Sequence, residues 1–162
     1  MVEGKIELLR AQKVAEGIVE LLKPYCARIE AAGSIRRKRP WVKDIDLVAL
    51  PTDLWGLHAE LTKLGGGKLR MSGSKIIRVM YGVIQVDVYI AEEETWATLL
   101  LIRTGSAENN IRLAIMAKKR GWRLAASGDG LFNEAGERIA GDSEASIFEA
   151  LGLAYQPPER RD

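Results

Sequence analysis

Near the start of the chain the apolar positions Ile6, Leu9, Val14, Ile18, Leu21 and Leu22 recur close to helical spacing, with Lys5, Glu7, Arg10, Lys13, Glu16 and Glu20 mostly opposite. The pattern predicts an amphipathic helix over 5–22, ended by Pro24 and packed against a sheet. Its polar face mixes both charge signs, whereas a basic face would be expected for an anionic lipid surface. Residues 27–32 read as a short strand ending at Gly33-Ser34, and 44–50 as a mostly buried strand with acids at its start. Leu54, Leu57, Leu61 and Leu64 mark a helix over 53–64, capped by Thr52 or Asp53 and stopped by Gly65-Gly66-Gly67. A hairpin follows, 75–80 and 83–90, turning through Tyr81-Gly82.

The second half predicts a helix over 95–103, another capped by Ser106 and stopped by Gly121, short strands at 130–132 and 137–139 around a turn at 133–136, and a last helix over 143–151. No repeat, low-complexity run or composition shift suggests a flexible linker. Strands and helices in this order give an α+β chain. Trp55, Trp96 and Trp122 fall at helical or near-cap positions and are expected in or beside the core, with His58 at the surface and Trp41 covering a sheet edge.

Chemistry concentrates in Gly33-Ser34-Ile35-Arg36-Arg37-Lys38-Arg39-Pro40-Trp41-Val42-Lys43-Asp44-Ile45-Asp46. Side chains alternate along a strand, so Asp44 and Asp46 are expected to point the same way. Two ionised carboxylates on a buried strand repel each other and lose hydration, and a hard cation offsets both costs. Asp87 shares a face with Gln85 and Tyr89 in the second hairpin strand, which could lie beside the first and bring a third carboxylate. Three such acids suggest two Mg²⁺ ions, with Asp44 and Asp46 bridging both and Asp87 binding the nucleophile-side ion. Ahead of them, Gly33 lets backbone N–H groups approach phosphate closely, Ser34 adds a donor, and four successive cations follow.

Gly-Ser, nine residues, then Asp-hydrophobic-Asp with a later strand Asp resembles the nucleotidyltransferase superfamily. Within it, Gly33-Ser34-Ile35-Arg36-Arg37 is similar to the phosphate-binding motif of the family X DNA polymerases. Thr104-Gly105-Ser106 through Arg112, and 136–153 with Pro157-Pro158-Glu159-Arg160-Arg161, resemble that family's thumb. The resemblance implies a palm with a mixed or antiparallel sheet and helices on one side (1–103), then a small α+β thumb (104–162). It implies Asp44, Asp46 and Asp87 as catalytic metal ligands for Mg²⁺, with Mn²⁺ able to substitute. Gly33, Ser34 and Arg37 would hold the triphosphate. Thr104 and Gly105 would lie by the sugar, Asn109 or Asn110 would reach the incoming base, and Arg112 would reach the template, with Lys43 and Lys75 as further DNA contacts.

Two departures carry expectations. Ile102-Arg103 stand where the family often has Tyr-Phe, so measurable ribonucleotide incorporation is expected. The amino-terminal helix is too short for a lyase domain, so the usual amino-terminal domain and fingers are expected to be missing and deoxyribose-phosphate lyase activity is not expected.

Composition narrows the rest. With 162 residues and 47% hydrophobic content there is room for one ordinary domain or two small ones. A net charge of +2 is not a polyelectrolyte signature, so DNA would be held by local patches: 36–39 with Lys43; Lys68, Arg70, Lys75 and Arg78; and Lys118, Lys119, Arg120 and Arg123. One Cys and one His exclude a His/Cys zinc site and an intrachain disulfide. The lone thiol, with no signal peptide or membrane span in the sequence, points to a reducing cytoplasmic compartment, and a monomer is expected. The expected function is Mg²⁺-dependent addition of nucleotides from nucleoside triphosphates to a primer 3′ end, on primer-template or gapped DNA, releasing pyrophosphate. A nucleotidyltransferase with a protein, RNA-end or small-molecule acceptor, and a non-catalytic nucleic-acid-binding module, are the alternatives.

Overall fold

The structure, a computed structural model, describes residues 3–162. By packing, the chain divides after Ala91 into two units. In the first, β1 (Ile6–Glu7) leads into α1 (Leu8–Leu22), and β2 (Cys26–Ala31) into the single-turn helix α2 (Gly33–Arg36). Next come β3 (Trp41–Val42), β4 (Ile45–Pro51), α3 (Leu54–Leu64), β5 (Met71–Ser72), β6 (Ile76–Tyr81) and β7 (Ile84–Ile90). Five strands form one mixed sheet in the order β2-β4-β7-β6-β5, with β4 and β7 parallel and the other pairs antiparallel. β1 and β3 pair separately, Ile6 opposite Val42 and Glu7 opposite Trp41.

Strand alternation sorts this sheet into two chemically different faces. Ile45, Leu47 and Ala49 of β4, Ile77 and Val79 of β6, and Val86 and Val88 of β7 are buried in one core with Ala11, Ala15, Ile18 and Leu22 of α1 and Leu57 and Leu61 of α3. The intervening positions include Asp46, Arg78, Gln85, Asp87 and Tyr89, so the polar side chains of the central strands share the opposite face. The buried stripe of α1 runs through Ala11 and Ala15 rather than through Leu9 and Leu21, which are 64% and 51% exposed. Positions 11, 15, 18 and 22 make a continuous i, i+4, i+7 row, and the two leucines fall beside it. Trp55 departs from expectation in the same way: Leu57 and Leu61 turn α3 toward the sheet, which leaves Trp55 89% exposed. Trp96 is buried and Trp122 partly so.

Cys26 begins β2 beside this core, and burial pushes its thiol up to about 11. Its thiolate fraction at mildly alkaline pH is therefore roughly two orders of magnitude below that of a free cysteine. Iodoacetamide is expected to alkylate the folded protein about a hundredfold more slowly than the urea-unfolded chain. The rate should climb as pH approaches the raised value, and equal rates in the two states would contradict the burial.

The second unit, Glu92–Asp162, holds α4 (Trp96–Thr104), α5 (Ala107–Lys119), β8 (Arg123–Leu124), β9 (Leu131–Phe132), β10 (Arg138–Ala140) and α6 (Glu144–Ala150). Its three strands form an antiparallel sheet in the order β10-β9-β8. Leu101, Leu113, Ala117, Leu131, Ile147, Phe148 and Leu151 make its core. Leu101 of α4 belongs to that core, so the division at 91/92 gives α4 to the second unit, where the motif-based boundary at 103/104 leaves it with the first. Ser106 caps α5 by accepting from the Asn109 N–H (3.2 Å), and Ser143 with Ser146 forms a capping box on α6.

Arg161 anchors the end of this unit. Its side chain is fully buried, pairs with the Glu144 carboxylate, donates from Nε to the Gln156 carbonyl (2.9 Å) and lies over the Phe148 and Tyr155 rings at 5.3 and 5.4 Å. Truncation would take a charged partner from the largely buried Glu144 carboxylate and open a void between two rings. Arg161→Ala is expected to cost about 3–5 kcal/mol, read as a lower urea midpoint with the slope unchanged. A loss below about 1 kcal/mol would mark the pair as dispensable.

Candidate active site

Gly33 is where local backbone chemistry decides the geometry. It follows β2 with φ +56°, a left-handed conformation that glycine adopts without penalty. A Cβ built there would stand 2.3 Å from Oδ2 of Asp46 and 3.1 Å from its Cγ, so the backbone at Gly33 lies directly against that carboxylate. The approach is fixed by the neighbouring Ala32 N–H, which donates to the Asp46 carbonyl at 2.8 Å. α2 then turns the chain: the Arg37 N–H donates to the Gly33 carbonyl (3.1 Å) and the Arg39 N–H to the Ser34 carbonyl (2.9 Å). Ser34 and Arg37 are half-buried beside this turn.

Asp46 and Asp87 are partners in the parallel register of β4 and β7, and Asp87 is opposite Arg78 in the antiparallel register of β7 and β6. The three side chains therefore cross the polar face in one row. Asp87 is 4% exposed and Asp46 half-buried. Asp44, expected within the strand, instead occupies the bend before β4, which begins at Ile45. Its alternation with Asp46 is thus set by the bend, although it remains close enough to Asp87 and Arg78 for their charges to act on it. Burial raises the Asp44 pKa above the ordinary carboxylate range; the Lys43 charge opposes this, Asp87 adds to it and Arg78 opposes it.

Arg78 is the site residue that the sequence alone assigns elsewhere, to a phosphate-contacting patch. Here its Nε donates to Oδ1 of Asp87 at 2.7 Å and a terminal nitrogen to Oδ2 at 3.2 Å, a two-point clasp. The Gln85 amide lies 3.4 and 3.3 Å from the same two oxygens. The Asp87 hydrogen bond and charge raise the Arg78 pKa further.

The donor set fits hard divalent cations: carboxylate oxygens on adjacent strands, a third acid beside them, and no soft ligand. As the side chains stand, no group of three or more His, Cys, Asp or Glu among the described residues is gathered into an ion site, and the Asp87 oxygens are held by Arg78.

Lys43 and Lys75 are exposed, at bends before β4 and β6. In the second unit, Thr104 is buried at the end of α4, Gly105 has φ +72°, and the Gly105–Ser106 peptide is cis. The Ser106 N–H donates to the Arg161 carbonyl (2.7 Å). Asn110 donates from Nδ2 to the Ile102 carbonyl (2.8 Å) and its Oδ1 is without a hydrogen-bond partner, as is Nδ2 of Asn109, which is 2% exposed. Arg112 is exposed and donates to Oδ1 of Asn109 (3.3 Å) and to the Asp162 carbonyl.

Residues 99–162 match the family described as DNA polymerase beta thumb. Over 158 residues the chain is 31% identical to the DNA polymerase/3′-5′ exonuclease PolX of Bacillus subtilis, covering 94% of this chain and 28% of that protein. It is 25% identical over 174 aligned residues to Repair DNA polymerase X of African swine fever virus, covering 99% of this chain and 98% of that one. Two crystal structures of Leishmania infantum polymerase beta, a ternary P/T complex and a ternary gap complex, share its fold with TM-scores of 0.81 and 0.82. Their identities are 21% and 20%, over 98% of this chain and 77% and 71% of theirs. The mixed sheet with helices on its apolar face, followed by a thumb-matching α+β unit, makes this chain a relative of the family X DNA polymerases.

Proposed function

We propose that the chain is a divalent-metal-dependent nucleotidyltransferase that extends primer 3′ ends on gapped or primer-template DNA with release of pyrophosphate. The observation that carries this reading is the register of Asp46 and Asp87 on adjacent parallel strands, with the Gly33 backbone pressed against Asp46. Asp44, Asp46 and Asp87 would hold the cations. Those cations, Mg²⁺ with Mn²⁺ as substitute, would lower the pKa of the attacking hydroxyl and neutralise the departing pyrophosphate.

The remaining roles belong to the protein's own groups. Gly33, Ser34 and Arg37 would bind the β and γ phosphates and hold the triphosphate in line with the attacking oxygen. Thr104 and Gly105 would lie by the sugar, and Arg112, Lys43 and Lys75 would contact DNA. Asn109 or Asn110 would reach the incoming base.

The testing experiment is single-nucleotide extension of a labelled primer across a one-nucleotide gap with Mg²⁺, offering each deoxyribonucleotide and ribonucleotide separately. Templated extension is the expected result, with ribonucleotides used measurably. Triphosphate turnover without primer extension would move the reading to another acceptor, and metal-independent DNA binding without turnover would leave a binding module.

A further inference from the structure

We propose that Arg78 is the resident counter-ion of Asp87, clasping both its oxygens while the site is free of metal and releasing them to the incoming cation, so that Arg78 sets the ion affinity of the site. The inference rests on the metal-dependent reading above. Its geometric basis is the two-point clasp, Nε to Oδ1 at 2.7 Å and a terminal nitrogen to Oδ2 at 3.2 Å, between residues fixed opposite each other in the β6–β7 register. With Gln85 also within reach of both oxygens, the Asp87 carboxylate is already engaged on each of its atoms. A divalent cation repels the guanidinium, so an ion that takes a lone pair on either oxygen works against the two-point clasp.

Burial indicates why a counter-ion is present and which partner can move. The Asp87 side chain is 5% exposed, and an ionised carboxylate at that depth is costly without an opposite charge. The side chain of Arg78 is 31% exposed, so its head can swing toward water while its stem keeps contact with the sheet. Asp44 contributes to the same field, since the charges of Asp87 and Arg78 both act on it. Exchange of one cation for another therefore keeps the acid cluster compensated throughout, and it makes ion affinity weaker than three bare carboxylates would give. Retention of ions then depends on the triphosphate, whose oxygens add to the ligand set.

The test is a Mg²⁺ titration of ¹⁵N,¹³C-labelled protein, without nucleotide or DNA, following the Arg78 Nε–H resonance and the Asp44 and Asp46 carboxyl carbons, with Arg78→Lys used for assignment. The expected result is that the Arg78 signal moves and broadens in step with the carboxyl shifts. In parallel, Mn²⁺ binding measured by electron paramagnetic resonance should tighten at least ~10-fold in Arg78→Gln, with Arg78→Lys in between, because the lysine keeps the charge and loses the fork. Saturation of the carboxyl shifts with the Arg78 signal unmoved would overturn this inference and leave the metal-dependent reading intact. No response of either group at millimolar Mg²⁺, and again none with a non-hydrolysable nucleoside triphosphate added, would overturn both. The wild-type titration decides the matter even if Arg78→Gln fails to fold.

Discussion

Asp46→Asn is expected to reduce primer extension by ~10³-fold or more, with the fold unharmed. The size follows from the role: charge stabilisation by bound cations is worth several kcal/mol, and each ~1.4 kcal/mol is tenfold in rate. Asn keeps the shape that fits against Gly33 and keeps the backbone carbonyl that accepts from Ala32, so the loop between β2 and α2 retains its anchor. It removes one negative charge from a face that already carries Asp87 as a register partner. The substitution leaves the Arg78–Asp87 pair in place, so thermal stability should hold. Activity lost with Tm unchanged identifies a ligand; activity and Tm falling together would mean that Asp46 acts through the fold. Retained extension, with single-nucleotide kinetics within tenfold of wild type, would remove Asp46 from the catalytic set.

The contrast between strands and short elements explains what could be read from the sequence alone. β4 and β7 are legible because Ile45-Asp46-Leu47 and Val86-Asp87-Val88 put a single acid between buried residues, a pattern with one physical reading: apolar side down, acid up. The α+β order, the amphipathic α1 and the Ser106 cap were legible for similarly local reasons. β1 and β3 are two residues each and α2 is one turn, too short to carry a period. Asp44 lies outside the strand because the bend at Lys43–Asp44 links β3 to β4, and no periodic signal marks that point.

The Arg78–Asp87 clasp depends on hairpin register. Tyr81 pairs with Ile84, so Gly82 and Val83 make the turn, one residue later than Tyr81-Gly82 would place it. A register offset of this kind decides which residue opposes Asp87, and sequence spacing does not fix it. The clasp was therefore hidden although both of its residues were in view. The boundary was hidden for a different reason: α4 is apolar nearly throughout, and only the packing of Leu101 assigns it to the second unit.

The left-handed conformation of Gly33 gives the sharpest separation of strain from contact. Alanine at φ +56° costs about 1–2 kcal/mol in backbone strain alone. At Gly33 it also meets the Asp46 carboxylate at 2.3 Å, and the loop cannot retreat without breaking the 2.8 Å bond from the Ala32 N–H to the Asp46 carbonyl. The carboxylate must yield instead, by something near 1 Å, and a displacement of that size at a reacting centre costs on the order of 10²-fold in rate. Gly33→Ala is therefore expected to lower kcat/KM by about a hundredfold and Tm by several degrees. Gly82 supplies the comparison: it has φ +63°, and an added Cβ would meet nothing within 4 Å. Gly82→Ala should show a similar loss of Tm with extension close to wild type. If both variants lose activity alike, backbone strain is the whole effect; if the loss is confined to Gly33→Ala, it belongs to the contact that seats Asp46.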